Sequence, residues 1–174
     1  MIKSLISVLI VVPFVATSQA SPIPPAPNLN VKAYVVMDFD SKMILASSNK
    51  DLTLPPASIT KMMTAYVAFT ELKEKNISLD EEILVSKKAW KTGGSKMFIE
   101  VGKRVKVRDI LQGVITVSGN DASVALAEHI SGDEKTFTTY MNQMAANLGL
   151  SNTNYTNATG LPLSLIHISE PTRQ

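Results

Sequence analysis

Pro55-Pro56-Ala57-Ser58-Ile59-Thr60-Lys61-Met62-Met63-Thr64-Ala65-Tyr66 is the stretch on which the reading of this chain turns. Two prolines close an extended segment, because proline fixes φ and biases the residue before it away from helix. Apolar residues then recur at three- and four-residue spacing at Met62, Ala65, Tyr66 and Phe69. That pattern predicts a helix from Ser58 to about Lys73 with this face turned inward. A serine and a lysine sit one turn apart at its start. On a helix they share a face, with Cβ atoms roughly 5–6 Å apart.

Serine is a weak nucleophile until a neighbour takes its proton. Of the two histidines, His129 lies in an alanine-rich helical run and reads as structural, and His167 lies in the C-terminal tail. Lysine serves instead when burial lowers its pKa. Ser58 at a helix N-terminus has free backbone N–H groups and a favourable dipole beside it. Both favour a developing oxyanion. Ser58 is therefore the candidate nucleophile and Lys61 the candidate general base. The plainer alternative is an N-cap serine followed by a solvated lysine.

Working outward, the chain has 174 residues, enough for one domain with a core. The formal net charge is +2 and no basic cluster stands out, which argues against nucleic-acid binding. There is no cysteine, so disulfides and cysteine-ligated metals are excluded. Nothing calls for a cofactor or a metal. Residues 1–20 read as a secretory signal: Lys3, an apolar run interrupted by Pro13, then Ser18 and Ala20 at −3 and −1. An uncleaved membrane anchor is the alternative. Residues 21–30 form a proline-rich lead-in.

Ala33–Asp38 and Met43–Ser48 read as a β-hairpin. Ile83-Leu84-Val85 is a short apolar run, and Trp90–Val101 is glycine-punctuated and loop-like. Lys106–Thr116 is predicted helical with Ile110, Leu111, Val114 and Ile115 inward. Asp121–Ile130 is a second helix, and Asp133 or Glu134 to Leu148 a third, closed by Gly149. Met62, Met63, Met141 and Met144 read as core filling. Asp80-Glu81-Glu82 reads as a solvated face. Between the helices, Ser118-Gly119-Asn120 breaks the pattern. Such a break can hold a hydroxyl and an amide against a neighbouring site, Ser118 relaying a proton and Asn120 bonding Lys61 and a substrate amide. A plain turn before an N-cap is the alternative.

Taken together, PPASITKMMTAYVAF (55–69), GGSKMFIEVGKRVKVRDILQGVITVSGNDASVALAEHISG (93–132) and NLGLSNTNYTNATGLP (147–162) resemble the serine D-alanyl-D-alanine carboxypeptidases, the low-molecular-mass penicillin-binding proteins. The Ser-x-x-Lys and Ser-x-Asn motifs carry the resemblance. It implies an α/β (α+β) fold of the β-lactamase/transpeptidase type, an antiparallel sheet flanked by helices with a helical subdomain. It implies a catalytic domain whose N-terminal part is residues 31–162. It further implies removal of the terminal D-alanine from peptidoglycan pentapeptides through an acyl-enzyme, acylation by β-lactams, and export to the periplasm or the outer face of the cytoplasmic membrane. Ser58 is then the nucleophile, Lys61 the base, Ser118 the proton relay and Asn120 the positioning group.

Two features depart from that pattern. The third motif, Lys-Thr-Gly on a late strand, does not follow Asn120. Lys91-Thr92-Gly93 has the right letters but precedes Ser118 and reads as coincidence. Residues 163–174 do not match the family, whether as foreign sequence or as a natural truncation. The expectation is a chain lacking its C-terminal strands, poorly folded and with little activity, in which membrane contact would need a C-terminal region not present. Asn154-Tyr155-Thr156 and Asn157-Ala158-Thr159 fit a glycosylation pattern that the implied cell-wall role leaves without meaning. Two alternatives stay open. A class A-like β-lactamase would need a Glu-x-x-Leu-Asn run after Asn120 and typically Asp at position 119. A non-catalytic penicillin-binding module would keep Ser58 and Lys61 without turnover.

Overall fold

The computed structural model describes residues 26–162; the expected signal peptide, the start of the proline-rich lead-in and the 163–174 tail lie outside the described residues. The chain divides into two compact units, Met1–Thr53 and Leu54–Gln174.

The first unit carries the predicted hairpin. Strand β1 (Tyr34–Met37) pairs antiparallel with β2 (Ile44–Ser48), with Tyr34 opposite Ser48 and a bulge between Val36 and Met37. Asp38 fixes the turn by accepting from the Ser41 N–H at 2.8 Å and the Ser41 hydroxyl at 2.6 Å. Two strands alone have no second layer with which to build a core.

The second unit is mainly helical. A single 3-10 turn (Ala57–Ile59) leads into α1 (Thr60–Lys73). Strand β3 (Glu82–Leu84), α2 (Lys87–Lys91), β4 (Arg104–Lys106), α3 (Val107–Thr116), α4 (Asn120–Ser131) and α5 (Glu134–Asn147) follow. Strands β3 and β4 pair antiparallel, Ile83 opposite Val105. The described residues thus hold mixed helix and antiparallel strand, as expected, in two separate two-stranded sheets. Trp90 and Lys91, expected in a loop, end α2, which Ser86 caps by accepting from the Ala89 N–H at 2.9 Å. After α5, Gly149 takes φ +74°, with Leu150 N–H bonded to Ala145 and Gly149 N–H to Ala146. This pairing satisfies the last carbonyls of a helix and favours glycine at that position.

Helix α4 is the centre of the unit. Asn120 through Ala127 are all buried, and α4 packs against α1, α2, α3, α5 and β3. Its small side chains let four helices approach closely, and a helix surrounded on all sides is buried all round. One core cluster joins Val107, Ile110, Leu111 and Val114 of α3 to Val124 and Leu126 of α4. The other joins Met63 and Val67 of α1 to Phe137 and Met141 of α5, with Met144 packed against it.

Two expectations about faces are corrected. Of the apolar set proposed for α1, only Ala65 is buried; Met62 is 74% exposed, and Tyr66 and Phe69 are exposed too. The face α1 buries is Thr60, Met63, Thr64, Val67, Ala68 and Glu71, an equally regular stripe. Two of its polar members have clear partners: Thr64 donates to a distant backbone carbonyl, and Glu71 accepts from the Tyr140 hydroxyl at 2.6 Å and from Asn76 at 2.9 Å. That carboxylate pushes the Tyr140 phenol up to about 12. Ile115 of α3 is likewise exposed, and Gly113 is buried among the inward residues.

Candidate active site

Ser58 lies in the 3-10 turn rather than in α1 itself, and its side chain is exposed. Ala57, just before it, has φ +48°, a left-handed conformation that costs a non-glycine residue about 1–3 kcal/mol and persists only where surroundings enforce it. Lys61 is buried, 5% exposed. Its Nζ lies 3.3 Å from Ser58 Oγ and donates to the Thr159 carbonyl at 2.9 Å. Burial pushes the Lys61 ammonium down from the ordinary lysine value. A neutral amine has two N–H groups and one lone pair. The Thr159 carbonyl takes one N–H, so the lone pair can face the serine hydroxyl.

The enforcement comes from a turn at 157–161 that sequence reasoning missed. Asn157, buried, accepts from Thr159 N–H at 3.0 Å, Thr159 Oγ1 at 2.9 Å and Gly160 N–H at 2.6 Å, and donates to the Leu161 carbonyl at 2.8 Å. These bonds are all local, which sets the turn. Thr64 of α1 donates to the Ala158 carbonyl at 2.8 Å. The Ala158 N–H donates to Glu134 at 3.0 Å, and Glu134 also pairs with Lys88 at 2.6 Å. Gly160, at φ +79°, presses against Ala57 so closely that a Cβ there would overlap the Ala57 carbonyl. The run Asn-Ala-Thr-Gly signals a turn; nothing in it signals that its carbonyl meets a lysine 98 positions earlier.

The second motif is also strained at its start. Ser118 has φ +54°, and Asn120, 3% exposed, opens α4. Asn120 donates its backbone N–H to the Ser95 carbonyl and its side-chain Nδ2 to the Gly93 carbonyl, both at 2.7 Å. The expected bond between Asn120 and Lys61 is thus replaced: Lys61 turns to Ser58 and Thr159, Asn120 to Gly93. Ser118 makes no side-chain hydrogen bond among the described residues. The two motifs are linked through Gly94, where a Cβ would touch both the Asn120 amide and, at 3.7 Å, Leu161 Cδ2. Ser58 and Lys61 are therefore in direct contact, whereas no hydrogen bond among the described residues joins Ser118 or Asn120 to either of them, and Gly94 lies between Asn120 and Leu161.

The Lys91-Thr92-Gly93 triplet ends α2 and lies on no strand, though its Gly93 carbonyl reaches Asn120. His129 sits at the far end of α4, its Nε2 3.0 Å from Glu81. Among the described residues no group of three or more His, Cys, Asp or Glu is placed to hold a metal ion, and no helix is long and apolar enough to cross a membrane.

A family model described as D-alanyl-D-alanine carboxypeptidase, peptidase S11, matches residues 18–169. The chain is 44% identical over 138 residues to the D-alanyl-D-alanine carboxypeptidase DacA of Haemophilus influenzae, covering 78% of this chain and 35% of that protein. It is 42% identical over 142 residues to DacC of Escherichia coli, covering 78% and 36%. Among solved structures it is similar to penicillin binding protein 5 from Haemophilus influenzae, with 43% identity and a TM-score of 0.76 over 80% of this chain and 41% of that one. The carboxypeptidase DacD from Francisella tularensis gives 45% identity and a TM-score of 0.75 over 80% and 34%. The chain spans roughly a third of the length of these curated relatives.

Proposed function

Since the chain belongs to the D-alanyl-D-alanine carboxypeptidase family, we propose that Ser58 is the nucleophile of a serine D-Ala-D-Ala carboxypeptidase and Lys61 its general base. The observation that carries this reading is the buried Lys61 amine, held by the Thr159 carbonyl 2.9 Å away and facing Ser58 Oγ at 3.3 Å. Lys61 takes the Ser58 proton as Oγ attacks the carbonyl between the two terminal D-alanines. The Ser58 N–H, in a first turn with no intrahelical partner for its donors, is half of the oxyanion site. Asn120 has its Nδ2 committed to Gly93, which leaves Oδ1 to accept from a substrate amide. Ser118 passes the proton to the departing D-alanine amine, and water then cleaves the acyl-enzyme by the reverse proton path. A β-lactam acylates Ser58 because its strained amide presents the same carbonyl.

The substrate class is the peptidoglycan pentapeptide, and the place of action is outside the cytoplasmic membrane, where residues 1–20 as a signal peptide would send the chain. The resemblance assigns the second oxyanion donor and the cation for the substrate carboxylate to a third motif, which is not among the described residues. The β-lactamase alternative is disfavoured at Gly119, where a Cβ would crowd Asp121 Oδ1 at 3.1 Å and the Met97 nitrogen at 3.2 Å.

The test is a fluorescent penicillin incubated with the chain, the adduct located by mass spectrometry. Adduct on Ser58 that disappears in Ser58→Ala supports the assignment; adduct on any other residue overturns it. For turnover, residues 31–162 are placed in the matching stretch of the Haemophilus influenzae relative. A folded chimera that releases no D-alanine from a diacyl-Lys-D-Ala-D-Ala peptide refutes the carboxypeptidase reading.

A further inference from the structure

We propose that Asp121 is a positioning residue that clamps the Gly93–Ile99 loop and thereby fixes the orientation of the Asn120 amide; the proposal rests on the catalytic reading of Asn120 given above. Asp121 is 1% exposed, on the first turn of α4. Its Oδ1 accepts from the Met97 N–H and the Ala122 N–H, each at 2.9 Å. Its Oδ2 accepts from the Phe98 N–H at 2.9 Å and the Ile99 N–H at 3.2 Å. No cation pairs with it among the described residues. A buried carboxylate is costly unless hydrogen bonds compensate it. Here three consecutive backbone donors of one loop do so.

The loop needs such a clamp. Phe98 takes φ +63° and is 83% exposed, so little packing of its own holds that conformation. The same loop supplies the carbonyls that orient Asn120: Gly93 to its Nδ2 and Ser95 to its N–H. Ser95 Oγ also donates to the Val117 carbonyl at 2.6 Å, just before Ser118. The order of dependence runs from Asp121 to Met97, Phe98 and Ile99, then to Gly93 and Ser95, then to Asn120. Because Asp121 and Asn120 are adjacent on α4, the side chain that holds the loop and the side chain that the loop holds share one backbone.

The experiment uses the 174-residue chain, isotope-labelled for NMR. Asp121→Asn is expected to speed exchange of the Met97, Phe98 and Ile99 amides by about tenfold or more and to shift the Asn120 side-chain NH2 signals, while α5 amides keep their protection. Phe98→Gly, which is at ease at positive φ, should shrink the effect of Asp121→Asn. A carboxylate with only a general role in stability would not show that rescue. Should Asp121→Asn fail to fold, Gly119→Ala presses a methyl onto Asp121 Oδ1 and the Met97 nitrogen and must give the same signature. Unmoved Asn120 signals, unchanged protection at 97–99, or no rescue by Phe98→Gly overturns the proposal. These readouts need no turnover. If they appear while penicillin never labels Ser58, the clamp stands and the acylation reading is the one that fails.

Discussion

The start of α1 and the start of α4 solve the same problem in opposite ways. Each sets a polar motif at the entry to a helix, Ser58 in the 3-10 turn before α1 and Ser118 just before α4, and each has a non-glycine residue at positive φ there, Ala57 at +48° and Ser118 at +54°. The first is held from a turn about a hundred residues later, by Lys61 on Thr159, Thr64 on Ala158 and the packing of Gly160 on Ala57. The second is held from a loop only 22 to 27 positions earlier, by Asp121, Ser95 and Gly93. At the first, the helix reaches out with side-chain donors to carbonyls. At the second, a helix carboxylate gathers backbone donors. Backbone strain is thus paired each time with a polar clamp, and the clamp can be tested apart from the proposed chemistry.

The largest effect should come from removing the Lys61 amine at the first clamp. Lys61→Ala is expected to lower the rate of Ser58 acylation by about 10²–10⁴-fold, the usual contribution of a general base. An undiminished rate would remove Lys61 from the mechanism. Wild-type acylation should climb with pH through the depressed Lys61 value, below the ordinary 10.5. Stability should follow the same window. Between those two values the unfolded chain binds the proton that the folded chain has given up, so folding stability rises with pH relative to Lys61→Met. Below the folded value the penalty of burying the ammonium is present in full. A stability difference between the two chains that stays flat across that window contradicts the buried-amine picture.

Gly160→Ala attacks the same clamp by sterics alone. The new methyl meets the Ala57 carbonyl, and φ +79° is strained for alanine. Together these should cost about 3 kcal/mol or more, read as a fall in the urea midpoint. Gly149→Ala, at φ +74° but with open space around it, serves as the reference. It should cost only the conformational part, about 1 kcal/mol. If the two glycines respond alike, the turn at 157–161 does not press on Ala57.

What the sequence disclosed follows from what each group is. The chemistry proposed for Ser58, Lys61, Ser118 and Asn120 belongs to side chains, and the spacing of those side chains on short segments is visible in one dimension. The extents of α3, α4 and α5 were also legible, because apolar period, alanine content and a Gly149 cap are local signals. The Thr159, Gly93 and Ser95 carbonyls were not, since every residue has one and only the fold selects which is used. Asn157 fits a glycosylation pattern that carries no meaning in the implied cell-wall role, and nothing local marks it as the buried organiser of a turn. For α1, the apolar stripe through Met62, Tyr66 and Phe69 competed with the stripe through Met63, Thr64 and Val67. Composition favours the first, and the partners of Thr64 and Glu71 decide for the second.

The smallest effects compare the two clamps most directly, because each contains one buried hydroxyl donating to a carbonyl. Thr64 Oγ1 donates to Ala158 at 2.8 Å, and Ser123 Oγ to Gly119 at 2.7 Å. The Gly119 carbonyl keeps a second donor, the Ser123 N–H at 3.1 Å, whereas Ala158 has no other donor to its carbonyl among the described residues. Thr64→Val preserves shape and strands that carbonyl, so it should cost about 1–3 kcal/mol. Ser123→Ala leaves Gly119 satisfied and should cost about 0.5–1 kcal/mol. Unfolding midpoints measured side by side should therefore rank Thr64→Val below Ser123→Ala. The reverse order would mean that the turn at 118–120 depends on its hydroxyl more than on the loop that Asp121 holds, and the contrast between the two helix starts would have to be redrawn.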